Sequence, residues 1–119
     1  AFFAGGLAQR ILSARRCWRE YRFTVEIPAS RVRPELSGDP ADQKIVLQGA
    51  VDCIFEEENG LVIVDYKTDR AASPAELWER YRAQLSLYRE AVQQCFSQPV
   101  TQCLLYSFSL NQTIGGELS

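Results

Sequence analysis

Two apolar runs on either side of one acidic turn constrain this chain more than any other feature. Val46, Leu47 and Val51 precede the turn, and Leu61-Val62-Ile63-Val64 follows it. The turn, Glu57-Glu58-Asn59-Gly60, contains an Asn-Gly pair, a strong local signal for a β-hairpin because both residues tolerate the positive φ that tight hairpin turns require. Strands this apolar belong in the centre of a sheet rather than at a solvated edge. Acidic residues in such strands are costly to bury and are expected to have a job. Two are present, Asp52 in Gln48-Gly49-Ala50-Val51-Asp52 and Asp65 in Val64-Asp65-Tyr66-Lys67-Thr68-Asp69.

Strand side chains alternate faces, so Asp65 and Lys67, two apart, project together. A two-residue loop at Asn59-Gly60 pairs Asp52 opposite Lys67 and Ile54 opposite Asp65, whereas a loop at Glu58-Asn59 pairs Asp52 with Asp65. Either register places all three on one face. A three-residue turn without a bulge would split them.

Two carboxylates within reach of each other repel and share protons unless a cation lies between them, and hard oxygen ligands suit magnesium, manganese or calcium. An ammonium beside such a site can orient a water nucleophile or stabilise charge developing on a phosphoryl group. That inventory points to metal-assisted phosphodiester hydrolysis. The bland alternative is an ordinary salt-bridge cluster on a half-exposed hairpin.

At these motifs the chain resembles the RecB-like nucleases of the PD-(D/E)XK superfamily, and most of all the C-terminal nuclease domain of AddA-type bacterial helicase-nuclease subunits. The matching pieces are Gly49-Ala50-Val51-Asp52, Val64-Asp65-Tyr66-Lys67-Thr68-Asp69 and Gln84-Leu85-Ser86-Leu87-Tyr88, with Arg19-Glu20-Tyr21-Arg22-Phe23 entering the family's first strand. The resemblance implies an α/β fold with a restriction-endonuclease-like core, a mixed central β-sheet flanked by helices. It implies Asp52, Asp65 and the main-chain carbonyl of Tyr66 as ligands to Mg2+ or Mn2+, Lys67 as the catalytic lysine, and Gln84 and Tyr88 as a helix motif beside the site. It further implies exonucleolytic cleavage of DNA, single-stranded, in double-strand-break repair by recombination. The partners would be the helicase portion of the same parent chain and a second nuclease subunit, in the bacterial cytoplasm. The family also carries a histidine on an upstream helix, and this chain has none. Residues 1–119 are therefore expected to be one nuclease domain, a fragment lacking that helix. The alternative is a non-catalytic nuclease-fold module for DNA binding or subunit docking.

Composition agrees. At 119 residues and 46% hydrophobic the chain can bury one modest core. No apolar run approaches the roughly 20 residues of a membrane span. Cys17, Cys53, Cys95 and Cys103 are too scattered for a metal-thiolate pattern, and the last three read as small core residues. The net charge of -2 hides an asymmetry: residues 1–33 carry seven arginines against Glu20 and Glu26, and the remainder is net acidic. Arg10, Arg15, Arg16 and Arg19 are read either as contacts to a phosphate backbone or as a solvated helix face.

Along the chain, Leu7, Ile11, Ala14 and Trp18 recur at helical spacing and predict a helix over 6–19. Tyr21, Phe23, Val25 and Ile27 alternate as a strand ended by Pro28. Residues 29–43 read as a loop, with Ser37-Gly38-Asp39-Pro40 at its centre. Ser73, Pro74 and Glu76 form a capping box that starts a helix running to about Cys95, with Leu77, Trp78, Tyr81, Leu85, Tyr88 and Val92 on its apolar stripe. Residues 100–110 read as a strand, and 111–119 as a frayed end or truncated hairpin.

Overall fold

The computed structural model describes residues 6–32 and 43–116. Its elements are α1 (Gly6–Leu12), β1 (Arg16–Pro28), a short 3-10 turn at Ala29–Arg31, β2 (Lys44–Glu57), β3 (Gly60–Lys67), α2 (Pro74–Phe96), β4 (Val100–Ser107) and β5 (Gln112–Ile114). The strands lie in sequence order in one five-stranded sheet. All neighbours are antiparallel except β3 and β4, whose parallel pairing demands a crossover, which α2 supplies.

β3 is the centre of the fold. Leu61, Val62, Ile63 and Val64 are all fully buried because their side chains alternate into two cores. Leu61 and Ile63 join Leu77, Leu85 and Val92 of α2 on one face, and Val62 and Val64 join Leu7 and Ile11 of α1 on the other. Fully burying each of these branched side chains is worth about 1.5–3 kcal/mol relative to exposure. The continuous apolar run thus marks a strand covered on both faces, as expected.

The turn resolves the register. Glu57 pairs with Gly60 and Cys53 with Val64, so the two-residue loop is Glu58-Asn59, the register that points Asp52 toward Asp65, and the ladder itself ends at Cys53 and Val64. Gly60, not Asn59, takes the positive φ, at 147°. A Cβ there would also sit 2.6 Å from the Pro99 carbonyl oxygen, which accepts a hydrogen bond from Leu61 N at 2.9 Å.

The first expected helix is shorter than its periodicity suggests. α1 stops at Leu12, and Arg15 N already donates to Glu56 O at 2.9 Å, drawing the chain into the ladder with β2. The helical spacing merged residues of two cores: Leu7 and Ile11 pack on the α1 side, while Trp18 lies in β1 and meets Phe96 of α2 edge-on at 4.8 Å. Val46, expected in an apolar strand, is 61% exposed on the stretch of β2 that extends beyond β3. Cys53 and Cys103 are buried, and burial pushes both thiols up to about 12, Cys17 adding to the effect at Cys53. Cys95, near the end of α2, is exposed, contrary to expectation.

The second helix begins where its capping box places it. Ser73 Oγ accepts from Glu76 N at 3.2 Å, while Glu76 Oε2 accepts from Ala72 N, one residue earlier than the usual reciprocal bond. Ser97 closes the helix in the left-handed conformation. The end of the chain forms a hairpin, with Ser107 Oγ accepting from Leu110 N in the turn before β5. The centre of the 29–43 loop and residues 117–119 lie outside the described residues.

Gly60→Ala is expected to destabilise the fold by about 1–3 kcal/mol, since it combines backbone strain with a main-chain clash. Urea denaturation checks this; a shift within the ±0.5 kcal/mol typical of surface substitutions would contradict it.

Candidate active site

Alternation along β2 and β1 breaks at one place, and that place is Asp52. Val51 and Ile54 both pack toward α2 although they are three apart, while Cys53 and Phe55 face the α1 side. On β1, Trp18 and Tyr21 likewise both meet Phe96 of α2. The pair between them, Glu20 and Asp52, is missing from an otherwise continuous ladder, and Glu20 takes φ 49°, the left-handed region. The irregularity frees the Asp52 carboxylate to reach β3, where its Oδ2 accepts from Tyr66 N at 2.8 Å.

Gly49 lets the aromatic wall of the site close. A Cβ at this position would lie 2.8 Å from the Phe23 ring and 3.1 Å from that of Tyr88, and those two rings meet edge-on at 5.4 Å.

Asp65 sits two residues after the fully buried Ile63 and shares its face, so its carboxylate points toward α2 at 5% exposure. Lys67, next on that face, places Nζ 2.9 Å from Asp65 Oδ2. The same ammonium stands 3.8 Å above the Tyr81 ring of α2, a cation–π contact in a partly desolvated setting. Burial pushes the Asp65 carboxyl up to about 6; its hydrogen bond with Asp52 adds to the rise, and Lys67 opposes it. One cation does not offset both burial and an adjoining carboxylate, so the Asp65 carboxyl stays above its ordinary range despite Lys67.

The expected helix motif faces this cluster. Burial raises the Tyr88 hydroxyl above its ordinary range, and the charges of Asp65 and Asp52 raise it further, which places Tyr88 within electrostatic reach of the pair. Gln84, one turn earlier, has a buried Oε1 with no hydrogen-bond partner among the described residues. Asp52, Asp65 and Lys67 are in direct contact, and Tyr88 and Gln84 come from the helix packed over them. For Tyr66, it is the main-chain N–H that the structure links to Asp52.

Sequence reasoning passed over Tyr81 and Asp69. Tyr81 shares the helix face of Gln84 and Tyr88 at three- and seven-residue spacing, a legible signal assigned only to the core. Its hydroxyl donates to Asp69 Oδ2 at 2.9 Å, which also accepts from Arg80 Nη1 at 2.6 Å, tying the segment after Lys67 to α2. The four arginines expected at a phosphate backbone divide. Arg10 is held by Glu57 at 2.7 Å and Gln102 at 2.8 Å, and Arg16 by Glu56 at 2.9 Å. Arg15 and Arg19 are exposed and make no ion pair among the described residues.

A buried Asp-x-Lys on a central strand, joined by a carboxylate from the neighbouring strand and a Gln-x-x-x-Tyr helix, accompanies a sequence match to the PD-(D/E)XK nuclease superfamily over residues 2–116. The chain belongs to the PD-(D/E)XK nuclease superfamily. It is 42% identical over 106 residues to the A-type ATP-dependent helicase/nuclease subunit of Desulforudis audaxviator, an overlap covering 87% of this chain and 8% of that protein. Proteins of the same name from Clostridium botulinum and Geobacillus thermodenitrificans are 40% and 39% identical, over 95% and 91% of this chain and 9% of each relative. The chain thus spans less than a tenth of the curated relatives it matches. The mixed sheet with helices on both faces agrees with the superfamily's α/β core. No helix among the described residues is long and apolar enough to cross a membrane.

Because folding raises the Asp65 pKa, the folded protein keeps a proton that the unfolded chain has released. The stability this group contributes is complete below the ordinary carboxylate range and is lost as pH rises through about 6. In the presence of a chelator, the thermal midpoint of the Asp65→Asn variant relative to the unmodified chain should therefore rise between roughly pH 4.5 and 7.5, a range that spans the upper part of that window. A pH-independent difference would contradict the assignment.

Proposed function

We propose that this chain is the nuclease module of an AddA-type helicase-nuclease and hydrolyses phosphodiester bonds of single-stranded DNA with Mg2+ or Mn2+, in the repair of double-strand breaks by recombination. The observation that carries the reading is the buried Asp65 carboxylate held against Asp52 with Lys67 at 2.9 Å. Two hard oxygen donors in mutual contact, one of them raised to about 6 by burial and by the other, form a pair that a divalent cation would relieve. The residues present therefore fit such a cation in donor chemistry: Asp52 and Asp65 would hold it, with the Tyr66 carbonyl as a third ligand. Bound there, it supplies Lewis acidity toward the phosphoryl oxygens.

The chain's own groups do the rest. Lys67, fixed between Asp65 and the Tyr81 ring, presents a cation where an attacking water is oriented or charge develops on the phosphoryl group. Water attack forms the new P–O bond as the bond to the leaving sugar oxygen breaks. Gln84 offers its buried amide oxygen, and Tyr88 a phenol, toward the same face. The helicase portion of the parent would feed the strand, and a second nuclease subunit would cut its complement.

One observation favours a second reading. The chain contains no histidine, and no group of three or more His, Cys, Asp or Glu side chains suited to a metal occurs among the described residues. A module whose metal site is incomplete would serve DNA binding or subunit docking instead.

Asp65→Ala and Lys67→Ala, made in the intact parent, are each expected to reduce cleavage of a single-stranded oligonucleotide by at least about a hundredfold. Circular dichroism should remain that of the unmodified protein. Loss of the folded signal would make these residues structural, and undiminished cleavage would favour the docking reading.

A further inference from the structure

We propose that Arg19 grips a backbone phosphate of the single-stranded DNA, in a cavity of about 250 Å³ that it lines with Glu20, Asp52 and Tyr66. The inference rests on the nuclease reading and names the residue that would hold the strand at that site. The cavity shares Asp52 with the metal pair, so it adjoins the place where the scissile phosphodiester would lie. At roughly 30 Å³ per water molecule its volume is that of about eight waters, room for a phosphodiester group.

Arg19 is the arginine whose environment leaves it available for this role. Arg10 and Arg16 are satisfied by Glu57 and Glu56, and Arg15 is exposed on the approach to β1, outside the cavity wall. Arg19 lines the cavity and makes no ion pair among the described residues. Tyr66 lines the same cavity beside it. A planar fork with several parallel N–H donors matches the paired oxygens of a phosphate.

The backbone explains why Arg19 points here. Glu20 at φ 49° breaks the alternation of β1, so Arg19 stays on the face of Cys53 and Tyr66 while Tyr21 turns toward α2. The same irregularity releases Asp52 from the ladder. One local distortion therefore aims both a carboxylate and a cation at a single opening. Glu20 and Asp52, which also line the cavity, would repel a phosphate by themselves; a cation held by Asp52 would offset that repulsion. The phosphate, not the base, is the feature recognised, so the contact reads no sequence.

The test is fluorescence anisotropy of a labelled oligothymidine with the full chain in calcium, a hard divalent cation of the same ligand class, comparing Arg19→Gln, Arg19→Lys and Arg22→Gln. Arg22 is exposed on the same strand but outside the cavity. Arg19→Gln should bind about tenfold more weakly, the size of one charge-assisted hydrogen bond lost. The slope of log affinity against log salt should fall by about one. Arg19→Lys should fall between, and manganese affinity and thermal midpoint should not change. Equal losses in Arg19→Gln and Arg22→Gln, or loss of manganese binding in Arg19→Gln, would overturn the assignment. Wild-type affinity that survives Arg19→Gln would overturn it and leave the nuclease reading standing, whereas no oligonucleotide affinity in the unmodified chain would overturn both.

Discussion

The contact on which this structure turns is the one between the Asp65 and Asp52 carboxylates. An isolated ionised carboxylate in a central strand is strongly disfavoured, and a second one against it makes the arrangement worse. Lys67 supplies one compensating charge and is itself held by Asp65 and the face of Tyr81. Burial of the hairpin's apolar residues supplies the stability that lets such a pair persist: Leu61 to Val64 are committed on both faces, and the strand cannot slip by one residue without exposing them. The site is thus a local conflict imposed on the best-packed strand of the fold, which is where functional groups of perturbed pKa are expected.

The second element of the design is an imperfection. A regular β1–β2 ladder would keep Asp52 and Val51 on opposite faces and bind both into the alternation. The break at Glu20 and Asp52 changes that parity at one point, bringing Asp52 to Tyr66 N and leaving Arg19 on the cavity wall that Tyr66 also lines. Glu20, a non-glycine residue in the left-handed region, carries the backbone cost, of the order of 1–3 kcal/mol. Strain of this kind persists only where surrounding packing over-determines it, and Trp18, Tyr21 and Phe96 clamp the strand on the α2 side.

Much of this was legible in the residues, for identifiable reasons. The period-two rule put Asp65 and Lys67 together, and an apolar run too continuous for a one-sided strand announced β3 as central. Ser73, Pro74 and Glu76 fixed the start of α2 because capping chemistry is local. What was not legible depended on distant partners. The turn had two acceptable registers, and the choice of Glu58-Asn59 follows from Gly60 packing against the Pro99 carbonyl, far along the chain. Trp18 carried helical spacing yet joined a strand, because Arg15 found Glu56. Arg10 and Arg16 looked like Arg19 in sequence, and only the fold shows that Glu57 and Glu56 had already claimed them.

The central claim is that Asp52 and Asp65 form a divalent-metal site, and metal affinity tests it without requiring turnover. Calorimetric titration of manganese into the purified chain, beside Asp52→Ala and Asp65→Ala, is the direct measurement. The account predicts binding to the unmodified chain that is lost in both variants while their folded signal remains. Binding that survives unchanged in both would place the metal elsewhere and contradict it.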